Sequence, residues 1–229
     1  PVNLQLDKAN VSELPAYIAP KQPALSDAVM KQIEAAATML MQANNPAIFA
    51  GWGAVHASDE LVAISEQIGS AVATTMQGIS AFPANHPLHA GFCFGPAAAP
   101  AAQNAFANAD CVLAIGTRFG EIATGSFGGQ LPEKLIHIDI NPKVFDANFK
   151  TAIAIEGDAK QVFQQLISAL TALGSAKDSS EAAAQIASDK KAYRETWYQH
   201  DSKEKVNPVL YFDELRSQLN DDAHIVVDD

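Results

Sequence analysis

Residues 44–56 read NNPAIFAGWGAVH, and residues 109–121 read ADCVLAIGTRFGE. In each, an apolar run of about five residues stops abruptly at glycine, after Ala50 in the first and after Ile115 in the second. A short run that is apolar at consecutive rather than alternate positions marks a strand buried on both faces, as in a parallel sheet. Glycine at its end lets the chain turn sharply, so each run delivers a loop to the carboxyl edge of the sheet. Ligands of open α/β folds sit at that edge.

Around these two runs, helix and strand signals alternate. Ser26 stands as an N-cap before a stretch with Val29, Ile33, Ala36, Ala37 and Leu40 at helical spacing, and Pro46 prevents its continuation. Residues 58–70 predict a helix capped by Ser58, residues 71–75 a strand, residues 78–100 a long loop rich in Gly, Pro and His, and residues 100–109 a short helix. LIHIDI (135–140) and TAIAIEG (151–157) read as strands, and residues 158–173 as a helix capped by Asp158. Strands separated by helices point to an α/β fold, a doubly wound parallel sheet with helices on both faces, over residues 24–173.

The flanks read differently. Residues 1–23 begin with the strand-like PVNLQLD and pass into a proline-punctuated linker; residues 174–206 carry GSAKDSSEAAAQ, a flexible joint, and then a polar linker helix. Residues 207–229 open with Asn207-Pro208, continue as a helix, and stop on a second strand-like run, HIVVDD. The chain reads as a piece excised from a longer polypeptide, with apolar ends that ask for neighbours.

Composition bounds the function classes. An apolar fraction of 48% is that of a globular protein, and a formal charge of −11 argues against a nucleic-acid partner. No apolar run approaches the roughly 20 residues of a membrane span. Cys93 and Cys111 are the only cysteines, too few for a disulfide framework and wrongly spaced for zinc. They read as packed thiols of a reducing compartment, the cytoplasm.

Candidate chemistry gathers at strand ends. Gly51, Trp52 and Gly53 follow a strand and precede a helix; such glycines serve either a tight turn or the close approach of a phosphate. Their spacing departs from the dinucleotide fingerprint, and no acid ends the following strand. Asp139 and Asp158 end successive strands, where a carboxylate can accept a ribose hydroxyl, although helix capping also accounts for Asp158. Arg118 follows its strand and can pair with a ligand anion or with Glu121. His56, His86, His89 and His137 show no metal-ligand spacing, and no G-x-S-x-G elbow is present.

Taken in order, PVNLQLD, NNPAIFAGWGA, TTMQGISAFPANHPLHAGF, ADCVLAIGTRFGE, LIHIDINP and IEGDAKQVF resemble the middle of thiamine-diphosphate-dependent enzymes of the acetolactate synthase and pyruvate oxidase type. The resemblance implies a central domain with a six-stranded sheet, set between a pyrimidine-binding and a diphosphate-binding domain of the same chain. Thiamine diphosphate and Mg2+ then belong to those flanking domains, because Ala159 follows Gly157-Asp158 where the magnesium motif has a second glycine. The parent is expected to decarboxylate or carboligate a 2-oxo acid as a homodimer or homotetramer, and this piece alone to be non-catalytic.

Central domains of this type bind FAD, bind ADP or bind nothing. FAD-type contacts carried over from the family fall on Gly51, Trp52 and Gly53, on Thr75, Met76 and Gln77, on Gly91 and Phe92, on Thr117 and Arg118, on Asp139 and Ile140, and on Gly157 and Asp158. Thr75-Met76-Gln77-Gly78 departs from the Thr-Leu-Met-Gly common in flavin members, and Cys93-Phe94-Gly95-Pro96 replaces their Gly-Met-His-Gly. The rival readings are a self-standing nucleotide- or flavin-binding electron-transfer module and a purely structural spacer.

Overall fold

In the computed structural model the described residues are 5, 6, 8, 16–18, 23–200 and 202–226. The Ser26 hydroxyl accepts the Val29 amide at 3.3 Å and opens helix α1 (Asp27–Gln42), which buries Ile33, Ala36, Ala37 and Leu40. Strand β1 (Pro46–Ala50) follows, buried at every position, and a short 3-10 helix (Trp52–Ala57) runs directly into α2 (Ser58–Ile68). Ser58 therefore sits at the first helical position and makes no side-chain cap, contrary to expectation, because the preceding helical turn has already ordered the backbone there.

The chain continues through β2 (Ala71–Thr74), β3 (His89–Phe92), α3 (Pro100–Ala107), β4 (Cys111–Ile115), β5 (Leu135–Asp139), β6 (Ile153–Glu156) and α4 (Ala159–Leu173). The strands form one parallel six-stranded sheet in the order β3-β2-β1-β4-β5-β6. Residues 78–100 are thus not wholly loop. They supply the edge strand, which pairs with β2 through a register shift between Val72 and Ala73.

Alternation along the strands divides the core in two. Ile48, Leu113, Ile115, Ile136 and Ile138 face α1, α2 and α4, while Ala47, Phe49, Val112, Ala114 and Leu135 face the other way. That second face is covered by α3 and by Ile186 of helix α5 (Ser180–Tyr198), so the segment expected to be only a linker helix completes the second layer. Parallel sheets need both faces covered, and here α5 is part of the cover. The join before it is fastened rather than free: Lys177 Nζ donates to the carbonyls of Leu40 at 3.1 Å and Ala43 at 2.6 Å. Those carbonyls end α1, where a cation meets the negative end of the helix dipole.

Helix α6 (Pro208–Gln218) is opened by Asn207, whose side chain accepts the Val209 amide at 2.9 Å. It buries none of its residues, and Tyr211 and Phe212 are exposed. The strand expected over HIVVDD is not formed at His224–Val226, which pair with no strand among the described residues; Val227–Asp229 lie outside them. Of PVNLQLD only Gln5 and Leu6 are described, neither in a strand. No helix among the described residues is long and apolar enough to cross a membrane.

Helix α5 also touches the edge strand through a titratable contact. Lys190 Nζ lies 3.5 Å from His89 Nδ1, and His86, itself 3.4 Å from the Glu66 carboxylate, flanks the same Phe82 ring. Burial first, then the charges of Lys190 and His86, pull His89 from 6.5 down to about 4. Between those values the unfolded chain binds the proton and the folded one does not, so stability falls on acidification from pH 6.5 and levels off near pH 4. Urea unfolding at a series of pH values should show a loss of about 2 kcal/mol over that window, allowing for solvent screening. His89→Gln should flatten the slope; an unchanged slope would assign it to other groups.

Candidate functional site

The strand order reverses between β1 and β4, whose following connections leave in opposite directions. Such a reversal opens a crevice at the carboxyl edge of the sheet. Here the two strand ends interlock through backbone. Gly51 donates to the Ile115 carbonyl at 2.8 Å, Gly53 to the Gly116 carbonyl at 3.1 Å, and Gly116 to the Ile138 carbonyl at 2.9 Å. A Cβ on Gly51 would stand 2.2 Å from the Gly116 oxygen, and one on Gly53 would stand 2.7 Å from the Gly116 Cα. The glycines that suggested close approach to a phosphate are thus required first by close approach of one loop to another. Between them Trp52 is turned outward and is 66% exposed.

Above this crossing lies a cleft of about 780 Å³, within the size range of cofactor sites. Gly51, Trp52, Gly53, Thr75, Gln77, Thr117, Arg118 and Asp139 all line it, so residues drawn from four strand ends converge on one cavity. Met76, Gly91, Phe92, Ile140, Gly157 and Asp158 are not among its lining. Gly91 and Phe92 sit on the edge strand, two strands from the crossing. Asp158 accepts the Gln161 amide at 3.1 Å and caps α4, while Gly157 donates to the Asp139 carbonyl at 3.1 Å.

The lining also includes Gly116, the glycine that ends its strand run, and Glu121, noted as a partner for Arg118, together with Gly120, Ile122, Ala123, Asn141 and Val144, which sequence reasoning did not single out. These last contribute mostly backbone or apolar surface and carry no motif. Arg118 is the one cation in the lining, set against the carboxylates of Glu121 and Asp139. Asp139 Oδ1 accepts the Asn141 amide at 2.8 Å, which orients the carboxylate.

The loop that carries Arg118 is held from below and from the side. His137 Nε2 lies 2.8 Å from the Thr117 carbonyl, which fixes Nε2 as the donor. Burial lowers the His137 pKa, so the ring is neutral, against smaller opposing effects of that hydrogen bond and of Asp139 and Asp146. Asn148 Nδ2 donates to the carbonyls of both Arg118, at 3.2 Å, and Phe119, at 3.1 Å. Phe119 itself has a φ of +52°, a conformation rare outside glycine, and its ring is buried against Phe49, Phe94 and Phe149.

Residues 33–166 match the family model described as the thiamine pyrophosphate enzyme, central domain. The chain belongs to this family. Its six parallel strands and covering helices are those of such a central domain. Among similar proteins, a probable acetolactate synthase large subunit of Methanocaldococcus jannaschii is 40% identical over 62% of this chain and 24% of its own length. The mitochondrial acetolactate synthase catalytic subunit of Saccharomyces cerevisiae is 29% identical over 87% of the chain and 30% of its own. A probable 2-ketoarginine decarboxylase of Pseudomonas aeruginosa is 35% identical over 68% and 27%. The central domain spans about a quarter of the length of these relatives.

Among its described residues the central domain has no group of three or more His, Cys, Asp or Glu able to hold a metal. Asp158, just past the end of β6, is engaged in capping α4. Both thiols of the central domain are buried, and burial raises Cys93 and lifts Cys111 to about 11, so neither is a nucleophile at neutral pH.

Proposed function

We propose that this chain is the nucleotide-binding central domain of an acetolactate-synthase-type enzyme, one that decarboxylates a 2-oxo acid and transfers or releases the resulting unit. The observation that carries the binding role is the convergence of Trp52, Arg118 and Asp139 on one cleft at the strand-order reversal. In this reading the cleft takes an adenosine diphosphate moiety, either as ADP or as part of FAD. Arg118 pairs with the diphosphate, the Asp139 carboxylate accepts a ribose hydroxyl, and the exposed face of Trp52 meets a flat ring. A bound FAD would supply a redox-capable ring; the chain's own residues bind and orient it.

The thiamine diphosphate chemistry belongs, in the same reading, to flanking domains of the parent polypeptide, in a homodimer or homotetramer of the cytoplasm. The exposed Trp197, Tyr211 and Phe212 on α5 and α6 support contact with such neighbours.

The test is binding by the purified chain. FAD is added, the unbound excess removed and the retained visible absorbance recorded; ADP is titrated in parallel by calorimetry. Retained flavin that ADP displaces supports FAD as the occupant, and ADP binding without flavin retention supports the mononucleotide. Arg118→Ala should weaken either by about 10- to 100-fold, the worth of one charge-assisted hydrogen-bonding group of roughly 1.5–3 kcal/mol. Binding of neither nucleotide would leave the domain a structural spacer and overturn the reading.

A further inference from the structure

The segment presenting Arg118 leaves the sheet at Ile115, where β4 ends. Beyond that point three successive carbonyls, those of Thr117, Arg118 and Phe119, are bound by side chains: His137 takes the first and Asn148 the other two. Both ends of the segment adopt left-handed conformations, with φ of +58° at Gly116 and +52° at Phe119. Such a loop has no ladder of its own to hold it. Asn148 comes from the connection between β5 and β6, where Phe149 packs 5.0 Å from the Phe119 ring and Phe145 packs 5.1 Å from His137. That connection braces the arginine loop along its length.

We infer that Asn148, outside the cleft lining, is a positioning residue for Arg118: it fixes the backbone from which the guanidinium reaches an anionic ligand. The inference rests on the nucleotide-binding reading above. The bond to the Arg118 carbonyl is exposed and the one to the Phe119 carbonyl partly buried, so the pair contributes only modestly to global stability. Their effect is to spare the loop an ordering cost when the ligand arrives. Removing them should weaken an anionic ligand by roughly fivefold to tenfold through lost preorganisation, with the melting temperature nearly unchanged.

The experiment is a double-mutant cycle on the full chain, with ADP affinity measured by calorimetry for the wild type, Asn148→Ala, Arg118→Ala and the double variant. The expected result is a several-fold loss from Asn148→Ala in the wild-type background and no further loss once Arg118 is gone. Equal losses in both backgrounds would show that Asn148 acts on the fold rather than through Arg118. An unchanged affinity for Asn148→Ala would overturn the inference while leaving the nucleotide-binding reading intact. If the wild type retains FAD but does not bind ADP, the cycle is run with FAD; failure of the wild type to bind either overturns both, and is distinguished by appearing before any substitution is made. If Asn148→Ala does not fold, Asn148→Leu, which keeps the size, removes the donors and adds no charge, carries the same comparison.

Discussion

Gly116→Ala is expected to cost about 4 kcal/mol and to lower the melting temperature by roughly 10 °C or more in a domain of this size. Two effects add. Residue 116 holds a φ of +58°, which disfavours any L side chain, and the new Cβ would stand 2.5 Å from the Cα of Gly53 and 2.7 Å from its backbone nitrogen. Gly53 cannot retreat easily, because its amide is already bonded to the Gly116 carbonyl at 3.1 Å. Gly120→Ala is the matched control. Gly120 lines the same cleft, yet the nearest atom to its Cβ would be Arg118 Nε at 3.8 Å. That substitution should fall within about 0.5 kcal/mol of wild type. A thermal melt of the two proteins checks both; equal melting temperatures would mean that the loops do not cross as tightly as described.

Phe49→Ala should cost a similar amount, about 3–5 kcal/mol, read as a shift in the urea midpoint at unchanged slope. Phe49 is fully buried on the central strand, and its ring meets Phe94 at 5.0 Å, Phe119 at 5.9 Å and Phe106 at 6.0 Å. The residues paired directly beside it on the neighbouring strands, Ala73 and Ala114, are small, so neither can swing in to fill the space. Phe149→Ala, at the partly buried margin of the cluster, should cost clearly less. The reverse order of severity would place the centre of the second core elsewhere.

Much of this architecture was legible because it is written in local terms. Ser26 and Asp158 cap helices by direct side-chain bonds, and consecutive apolar residues mark β1 and β4. The edge strand was not legible. HAGF at 89–92 contains no β-branched residue and includes a glycine at φ +120°, so pairing with β2, rather than its own preference, makes it a strand. Ser58 misled for the opposite reason: its type suits a cap, but a helical turn preceded it. In the cleft, Arg118 and Asp139 announced themselves as charges at strand ends. Gly120, Ala123 and Val144 form the same walls with surface that any loop contains, and only the fold brings them there.

The position of β1 in the sheet also bears on how the chain folds. Its partner on one side, β2, follows closely, but Pro46 on the other side pairs with Cys111, more than a quarter of the chain later. The central strand is therefore left half paired until β4 has been synthesised, and the alanine-rich edge of β1 stays open to other partners meanwhile. Non-local pairing of this kind slows folding and prolongs exposure of unpaired edges. A ribosome-bound chain should remain protease-sensitive throughout residues 27–110 until residues 111–173, which supply β4 to β6 and the α4 cover over α1, have cleared the exit tunnel.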